Sequence, residues 1–418
     1  MTKIDKTKPV LVTGATGYLA GWIVKQLLDD GITVHAAVRN PDKEEKLAHL
    51  NKLASEAPGT IKYFKADLLN EGSYEEAMNG CELVFHTASP FTSDFKDAQK
   101  ELIDPAVKGT ANVLNQATKS NSVKRVVLTS SCAAIYSDAT DCANTPGGAL
   151  TEEVWNTTSS LEYQPYSYSK TMAEKKAWEI NKSQTTWDLV VINPSLILGP
   201  ALNAGSITSE SYSILKQLGD GTMKAGAPKL GLGLVDVRDV AKAHLLAGFT
   251  PEATGRYITS AHNTNVLEMA MTLQSKYGKS YPLPKSALPK WLLVLIGPMV
   301  NKSFSRKFIR NNVNVTWKTD NSKILQELGI SFRPMKETIL QSDFYNIVCF
   351  VSNDSLPASG IRKFFEEQNN LASLSCYYDN EQTIAKIILQ QCTKHNKTID
   401  EDALFYLKSH LKGDHQII

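Results

Sequence analysis

Nowhere in the 418 residues is there an apolar run long enough to cross a membrane. The longest, Trp291 to Ile296, is cut by Gly297 and Pro298 and falls far short of the roughly 20 residues a spanning helix needs. There is no Cys-x-x-Cys pair. The six cysteines (Cys81, Cys132, Cys142, Cys349, Cys376 and Cys392) are scattered along the chain, which predicts reduced structural thiols and no metal centre. Little net charge remains when Lys+Arg 45 is set against Asp+Glu 43, and a balance of +2 gives no general attraction to polyanions. No Gly-x-x-x-x-Gly-Lys-[Ser/Thr] loop is present to hold ATP phosphates. The polar start, Met1 to Pro9, has neither the apolar stretch of a signal peptide nor the Arg-rich character of a transit peptide, so a cytoplasmic, membrane-free protein is expected.

What is present is the balance of a globular chain, 42% hydrophobic and 21% charged, enough to build a sizeable core. From Pro9 to about Trp187 short β-branched runs alternate with longer helical patterns, the signature of βαβ units around a parallel sheet. Strands are expected at Val10–Thr13, Thr33–Val38, Ile61–Phe64, Leu83–His86, Val123–Thr129 and Leu189–Ile192, with helices at Leu19–Leu28, Tyr74–Met78, Lys108–Ala117 and Tyr166–Ile180. The fold class is therefore α/β, a Rossmann-type doubly wound parallel sheet over residues 8–195. Beyond Pro194, turns rich in Gly and Pro, one helix near Val237–Leu246 and a strand near Arg256–Thr259 suggest a smaller substrate lobe, 196–341, interleaved with the first domain. A third texture starts near Phe344, with an apolar strand at Ile347–Val351 and then polar helical stretches, which predicts a mainly helical extension over 345–418.

Directly after the first strand stands Thr13-Gly14-Ala-Thr16-Gly17-Tyr18-Leu19-Ala20, opening a helix. Glycines there let a pyrophosphate approach backbone N–H groups at the helix N-terminus, and Ala20 lets the helix pack close to the strand. At the end of the second strand, where an NAD site would place a carboxylate on the ribose hydroxyl, this chain has Arg39, with Lys46 seven residues on. A guanidinium holds a 2′-phosphate bidentately, so NADPH (NADP) is the expected cofactor. Asp67 and Leu68 after the third strand fall at the adenine edge, and Thr87 and Ala88 after the fourth fall at the floor of the same crevice.

Tyr166 and Lys170 lie four apart on one helical face. An ammonium beside a phenol favours the phenolate and draws the Tyr below its ordinary ~10, so that it exchanges a proton near neutrality. Reduction of a carbonyl needs that proton, together with a second donor on the oxygen; Ser131, after the fifth strand, is placed to be it. Tyr168 is the rival phenol, but two residues from Lys170 it faces away. The stretch Asn193 to Pro200 follows a strand where a loop would cover the nicotinamide.

These stretches together resemble the extended short-chain dehydrogenase/reductases of the NAD-dependent epimerase/dehydratase superfamily, near the dihydroflavonol reductase and aldehyde reductase branch. The resemblance spans about Lys8 to Gln341 and rests also on Phe85–Pro90, Thr151–Trp155, Ala173-Glu174 and Val235–His244. It implies that Ser131, Tyr166 and Lys170 form the catalytic set, that Arg39 and Lys46 contact the 2′-phosphate, and that Thr87, Pro194 and Leu196 line the cofactor site, which Tyr166 and Lys170 are also expected to touch, Lys170 at the nicotinamide ribose. The chain departs from flavonoid reductases in carrying Tyr136 where they have Asn, and from cinnamoyl-CoA reductases in reading Gln164-Pro-Tyr-Ser-Tyr168 around the Tyr. A reductase of small-molecule aldehydes or ketones is the expectation. A nucleotide-sugar epimerase holding NAD stands as an alternative, although such enzymes usually place an acidic residue at the position of Arg39.

The tail reads differently. Asn353–Glu367, Ser375–Asp379, Ile399–Ala403 and Leu411–Asp414 resemble, in order, part of the delta subunit of bacterial DNA polymerase III. That resemblance implies a fused fragment stopping before the subunit's collar region, so a role as a replication accessory is a further alternative. Contact with nucleic acid or a clamp loader is not expected from so short a piece.

Overall fold

The computed structural model describes residues 2–89, 95–203, 210–300 and 304–342, with a few isolated residues between 385 and 404. The chain divides into two compact units, Met1–Asn346 and Ile347–Ile418. In the second, Ala385, Leu389, Glu401 and Leu404 are helical, and the Leu404 N–H donates to the Asp400 carbonyl at 3.0 Å. The strand expected at Ile347–Val351 and nearly all of the delta-like stretch fall outside the described residues.

The first unit contains the strands β1 (Val10–Thr13), β2 (Thr33–Val38), β3 (Thr60–Lys65), β4 (Leu83–His86), β5 (Arg125–Thr129), β6 (Asp188–Pro194), β7 (Leu196–Leu198), β8 (Gly231–Asp236), β9 (Gly255–Thr259) and β10 (His262–Asn265). Its helices are α1 (Tyr18–Asp29), α2 (Glu44–Ser55), α3 (Glu75–Met78), α4 (Asp104–Lys119), α5 (Pro165–Lys182) and α6 (Glu210–Gly219). They continue with α7 (Val237–Phe249), α8 (Val266–Tyr277), α9 (Lys290–Val300), α10 (Arg306–Asn312), α11 (Ser322–Leu328) and α12 (Met335–Gln341).

Seven strands form one parallel sheet in the order β3-β2-β1-β4-β5-β6-β9. Successive residues of β1 point to opposite faces, and both faces are covered: Val10 and Val12 join Ile23, Leu27 and Val34, while Leu11 joins Phe64, Val113 and Val126. That double burial is why the strands read as continuous apolar runs without polar alternation. The strand order reverses between β1 and β4, and the crevice at the carboxyl ends of those strands is where ligands of such sheets bind.

A smaller sheet, β10-β8-β7, supports the rest. Here the expected loop after Asn193 is corrected. Asn193 and Pro194 end β6, and Leu196, Ile197 and Leu198 pair in parallel with Leu234, Val235 and Asp236 of β8. Three consecutive apolar residues gain more from pairing and burial than from lying open over a cleft. Leu198, Leu232 and Leu234 pack with Leu215, Met269, Leu273 and Ile339 as a second core. The apolar run from Trp291 belongs to α9, where Leu293 is buried against Ile309 and Val313. No helix among the described residues is long and apolar enough to cross a membrane.

One buried cation closes the large sheet. Arg125 is fully buried and makes a forked pair with Asp188, at 2.7 and 3.0 Å. It also donates to the carbonyl of Ala247 in the last turn of α7 and to those of Thr250, Pro251 and Ala253 past its end. Replacing Arg125 by Ala strands those acceptors and opens a large void, so a loss of about 3–5 kcal/mol is expected. Chemical denaturation of the variant checks it.

Candidate active site

A cavity of about 1680 Å³ opens over the β1/β4 crevice and runs along the carboxyl edge of the sheet. At one end it is lined by the turn from β1 into α1, through Gly14, Thr16, Gly17, Tyr18 and Leu19. Gly14 has φ +63°, and a Cβ there would lie 3.0 Å from that of Ala88 and 3.1 Å from its Cα, so the turn's conformation and its closeness to the β4 end both call for glycine. Gly17 caps α1 without a side-chain bond, and the first turn carries no acidic residue. Its amide groups and the positive end of the helix dipole are therefore left for an anion. Tyr18 is buried, with its hydroxyl donating to the Gly199 carbonyl at 2.9 Å, and Tyr212 donates to the same oxygen at 2.6 Å. The ring thus ties α1 to the smaller sheet.

Thr13 is placed differently from its neighbours: it is fully buried and does not line the cavity. Its Oγ1 accepts from the amides of Thr87 at 3.1 Å and Ala88 at 3.0 Å, and the Thr87 hydroxyl donates to its carbonyl at 2.6 Å. With both lone pairs engaged, the Thr13 proton is directed to Nδ1 of His86 at 3.0 Å. Burial, with a contribution from the Lys170 charge, pushes His86 down to about 3, so its ring is neutral. Thr13 shapes the site from beneath by pinning the ends of β1 and β4 together.

Arg39 and Lys46 are exposed and line the same cavity, one after β2 and the other in the first turn of α2, with Glu45 beside them. Asp67 and Leu68 also line it. The Asp67 carboxylate accepts from the Leu69 amide at 2.9 Å and so stiffens its own turn. Thr87, Ala88, Pro194 and Leu196 complete the wall towards the reacting end.

At that end Ser131, Tyr166 and Lys170 share the cavity. Ser131 caps the short helix Cys132–Ala134, its Oγ accepting from the Ala133 amide at 3.1 Å. That contact uses a lone pair and leaves the hydroxyl proton to be given to a bound oxygen. The Lys170 Nζ sits 5.8 Å from the centre of the Tyr166 ring and donates to Ser89 Oγ at 2.9 Å. Burial lowers the Lys170 ammonium to about 8. Tyr168 does not line the cavity.

The helix carrying Tyr166 and Lys170 starts from an unusual residue. Gln164 has φ 54°, a region that disfavours a side chain, immediately before Pro165. Its amide holds the conformation by donating to the Ser137 carbonyl at 2.7 Å and to Asp138 at 2.8 Å. Asp138 is in turn bound by Tyr163, Asn311 and Asn312. Neither Gln164 nor Ser89 was predicted as a site residue. The signal for Ser89 is its place directly after Thr87 and Ala88, and for Gln164 it is only the unusual reading Gln164-Pro-Tyr-Ser-Tyr168 around the Tyr. Among the described residues there is no group of three or more His, Cys, Asp or Glu that could hold a metal.

Comparison with known proteins places this geometry. The model of the NAD dependent epimerase/dehydratase family matches residues 10–258. A cinnamoyl-CoA reductase of Medicago truncatula is 42% identical over 279 residues, covering 66% of this chain and 82% of that protein. An anthocyanidin reductase of Arabidopsis thaliana is 38% identical over 283 residues, covering 65% and 82%. Among solved structures, yeast methylglyoxal/isovaleraldehyde reductase complexed with NADPH is similar with a TM-score of 0.63 and 28% identity, over 80% of this chain and 96% of that one. These relatives do not support the likeness of 345–418 to a clamp-loader subunit.

Proposed function

Because the chain belongs to the NAD dependent epimerase/dehydratase family, we propose that it is a reductase that uses NADPH to reduce the carbonyl group of a small aldehyde or ketone. The observation that carries this reading is one cavity lined by an uncapped helix N-terminus, by the cations Arg39 and Lys46, and by Ser131, Tyr166 and Lys170. The reductase names of the relatives, and the NADPH in the yeast structure, point the same way.

The donor set suits the cofactor: amides of the first turn of α1 for the pyrophosphate, Arg39 and Lys46 for a 2′-phosphate, and Thr87, Ala88, Pro194 and Leu196 as a wall. NADPH, when bound, supplies the hydride. Ser131 gives its hydroxyl proton to the carbonyl oxygen as a hydrogen bond and holds it as charge develops. Tyr166 donates the proton that completes the alcohol, and Lys170 keeps the phenol acidic enough to give it. An acidic residue in place of Arg39 would favour NAD-holding epimerases, and the guanidinium weighs against that alternative. The proposal includes a cytoplasmic setting and no nucleic-acid or clamp-loader partner. Overall likeness does not carry the relatives' substrates across, since Tyr136 and Gln164, the positions at which the sequence is expected to differ from flavonoid and cinnamoyl-CoA reductases, both line the cavity.

The test is NADPH and NADH oxidation by the full chain against a panel of aldehydes, ketones and a dihydroflavonol. NADPH consumption that depends on added carbonyl is the expected result. A protein that purifies with NAD bound and consumes neither nucleotide would favour the epimerase instead. The pH profile is a second expectation. Lys170, lowered to about 8 by burial, carries its proton below that pH and loses it as pH rises through it. The cation that sustains Tyr166 is then gone, so kcat/KM is expected to fall above about pH 8.

A further inference from the structure

We propose that Glu174 is a positioning residue, holding Ser131 in register with Tyr166 and Lys170; this role rests on the reductase reading above. Glu174 follows Lys170 by four residues and Tyr166 by eight, on the same face of α5. It is 1% exposed and does not line the cavity, so it reaches the reaction only through other residues.

Its carboxylate gathers the ends of three strands. One oxygen accepts from Ser130 Oγ at 2.5 Å and from Asn193 Nδ2 at 2.8 Å, and the other accepts from Arg256 Nε at 2.6 Å. Ser130 directly precedes Ser131 after β5, Asn193 lies in β6 and Arg256 in β9. Asn193 Nδ2 also donates to the Ser131 carbonyl at 3.1 Å. Facing two acceptors, the amide has one acceptable orientation, because the flipped form would set its oxygen against a carboxylate and a carbonyl. Arg256 is itself anchored by the carbonyls of Glu152 at 2.8 Å and Val154 at 2.6 Å, with its guanidinium 4.1 Å from the centre of the Trp155 ring. The catalytic helix and the Ser131 turn are thereby fastened to one point, and Ser131 is gripped on both sides, through Ser130 before it and through its own carbonyl.

A buried ion pair that served stability alone would look similar, so the test reads coupling. Single-turnover hydride transfer and NADPH affinity are measured for wild type, Glu174→Gln, Ser130→Ala and Ser131→Ala, and for each of the first two changes combined with Ser131→Ala. Glu174→Gln is expected to slow hydride transfer about 10- to 100-fold with NADPH affinity unchanged, as a misplaced donor does. Ser130→Ala, which keeps the Arg256 pair and so keeps the fold if the Gln variant fails to fold, is expected to slow it less. In the Ser131→Ala background both losses should nearly vanish, because the group they hold has been removed. Equal losses in both backgrounds, or wild-type rates in the folded variants, would overturn the role. A wild type without turnover, or a Ser131→Ala variant at full rate, would overturn the reductase reading, and this role with it. A slow Ser131→Ala beside unaffected Glu174 and Ser130 variants sinks the positioning role alone.

Discussion

Replacing Tyr166 by Phe is expected to lower kcat by about 100- to 10,000-fold, the range of a lost general acid, while NADPH affinity stays largely unchanged. The substitution keeps the ring and removes one oxygen. The Lys170 Nζ, 5.8 Å from the ring centre, keeps its neighbour, and the bond from Ser169 Oγ to the Tyr166 carbonyl at 2.7 Å does not involve the phenol. The other end of the cavity is not altered, because Gly14, Gly17 and Arg39 lie on other elements. Steady-state rates and NADPH titration on the same preparation separate the two effects. If binding disappears together with turnover, Tyr166 is a structural residue and the proton donor lies elsewhere.

Arg39→Asp is the second large effect, and it concerns which nucleotide is used. Arg39 stands exposed just past β2 with Lys46 in the first turn of α2, and both line the cavity. Hydrogen bonds to charged groups contribute roughly 1.5–3 kcal/mol each. Losing the guanidinium should therefore raise KM for NADPH by about 10- to 150-fold at low salt, and less at high salt where exposed charges are screened. The introduced carboxylate repels a 2′-phosphate and accepts from a ribose hydroxyl, so kcat/KM for NADH should rise. Unchanged selectivity would mean that the phosphate is held elsewhere.

The sequence made the nucleotide end legible because its strands are buried on both faces. Val10–Thr13, Thr33–Val38 and Leu83–His86 have the bounds their apolar runs predict, and residues in the turns after those strands line the cavity. That Ser131, Tyr166 and Lys170 share one cavity is legible for a related reason: a helix spacing of four and a strand end are local properties. Elements whose partners lie far away were not readable. β10, reading His-Asn-Thr-Asn, has no apolar alternation and is held by pairing with β8. β8 alternates Gly with Leu in a way that reads as a turn. α2 buries only Leu47 and Leu50 of its twelve residues, too little for a clear stripe. Its place beside the glycine turn makes Thr13 a binding residue by sequence; that its hydroxyl is consumed by the amides of Thr87 and Ala88 follows from how β1 meets β4. In the sequence Glu174 carries no signal beyond the family resemblance, since its partners at 130, 193 and 256 come together only on folding.

Arg125 also sets the schedule on which the sheet can be finished as the chain leaves the ribosome. Its carbonyl partners lie 122 to 128 residues later, and β9, which covers the open side of β6, ends at Thr259. Until that point has been synthesised, Asp188 alone can receive the Arg125 guanidinium, its carbonyl partners being still absent, and the nascent sheet carries a free apolar edge, Leu189 to Ile192, ready to pair with any other chain. The nucleotide-binding half, though first in the sequence, is among the last parts able to become safe from aggregation. Cutting the chain after α5 leaves a half that still needs the strands it was cut from.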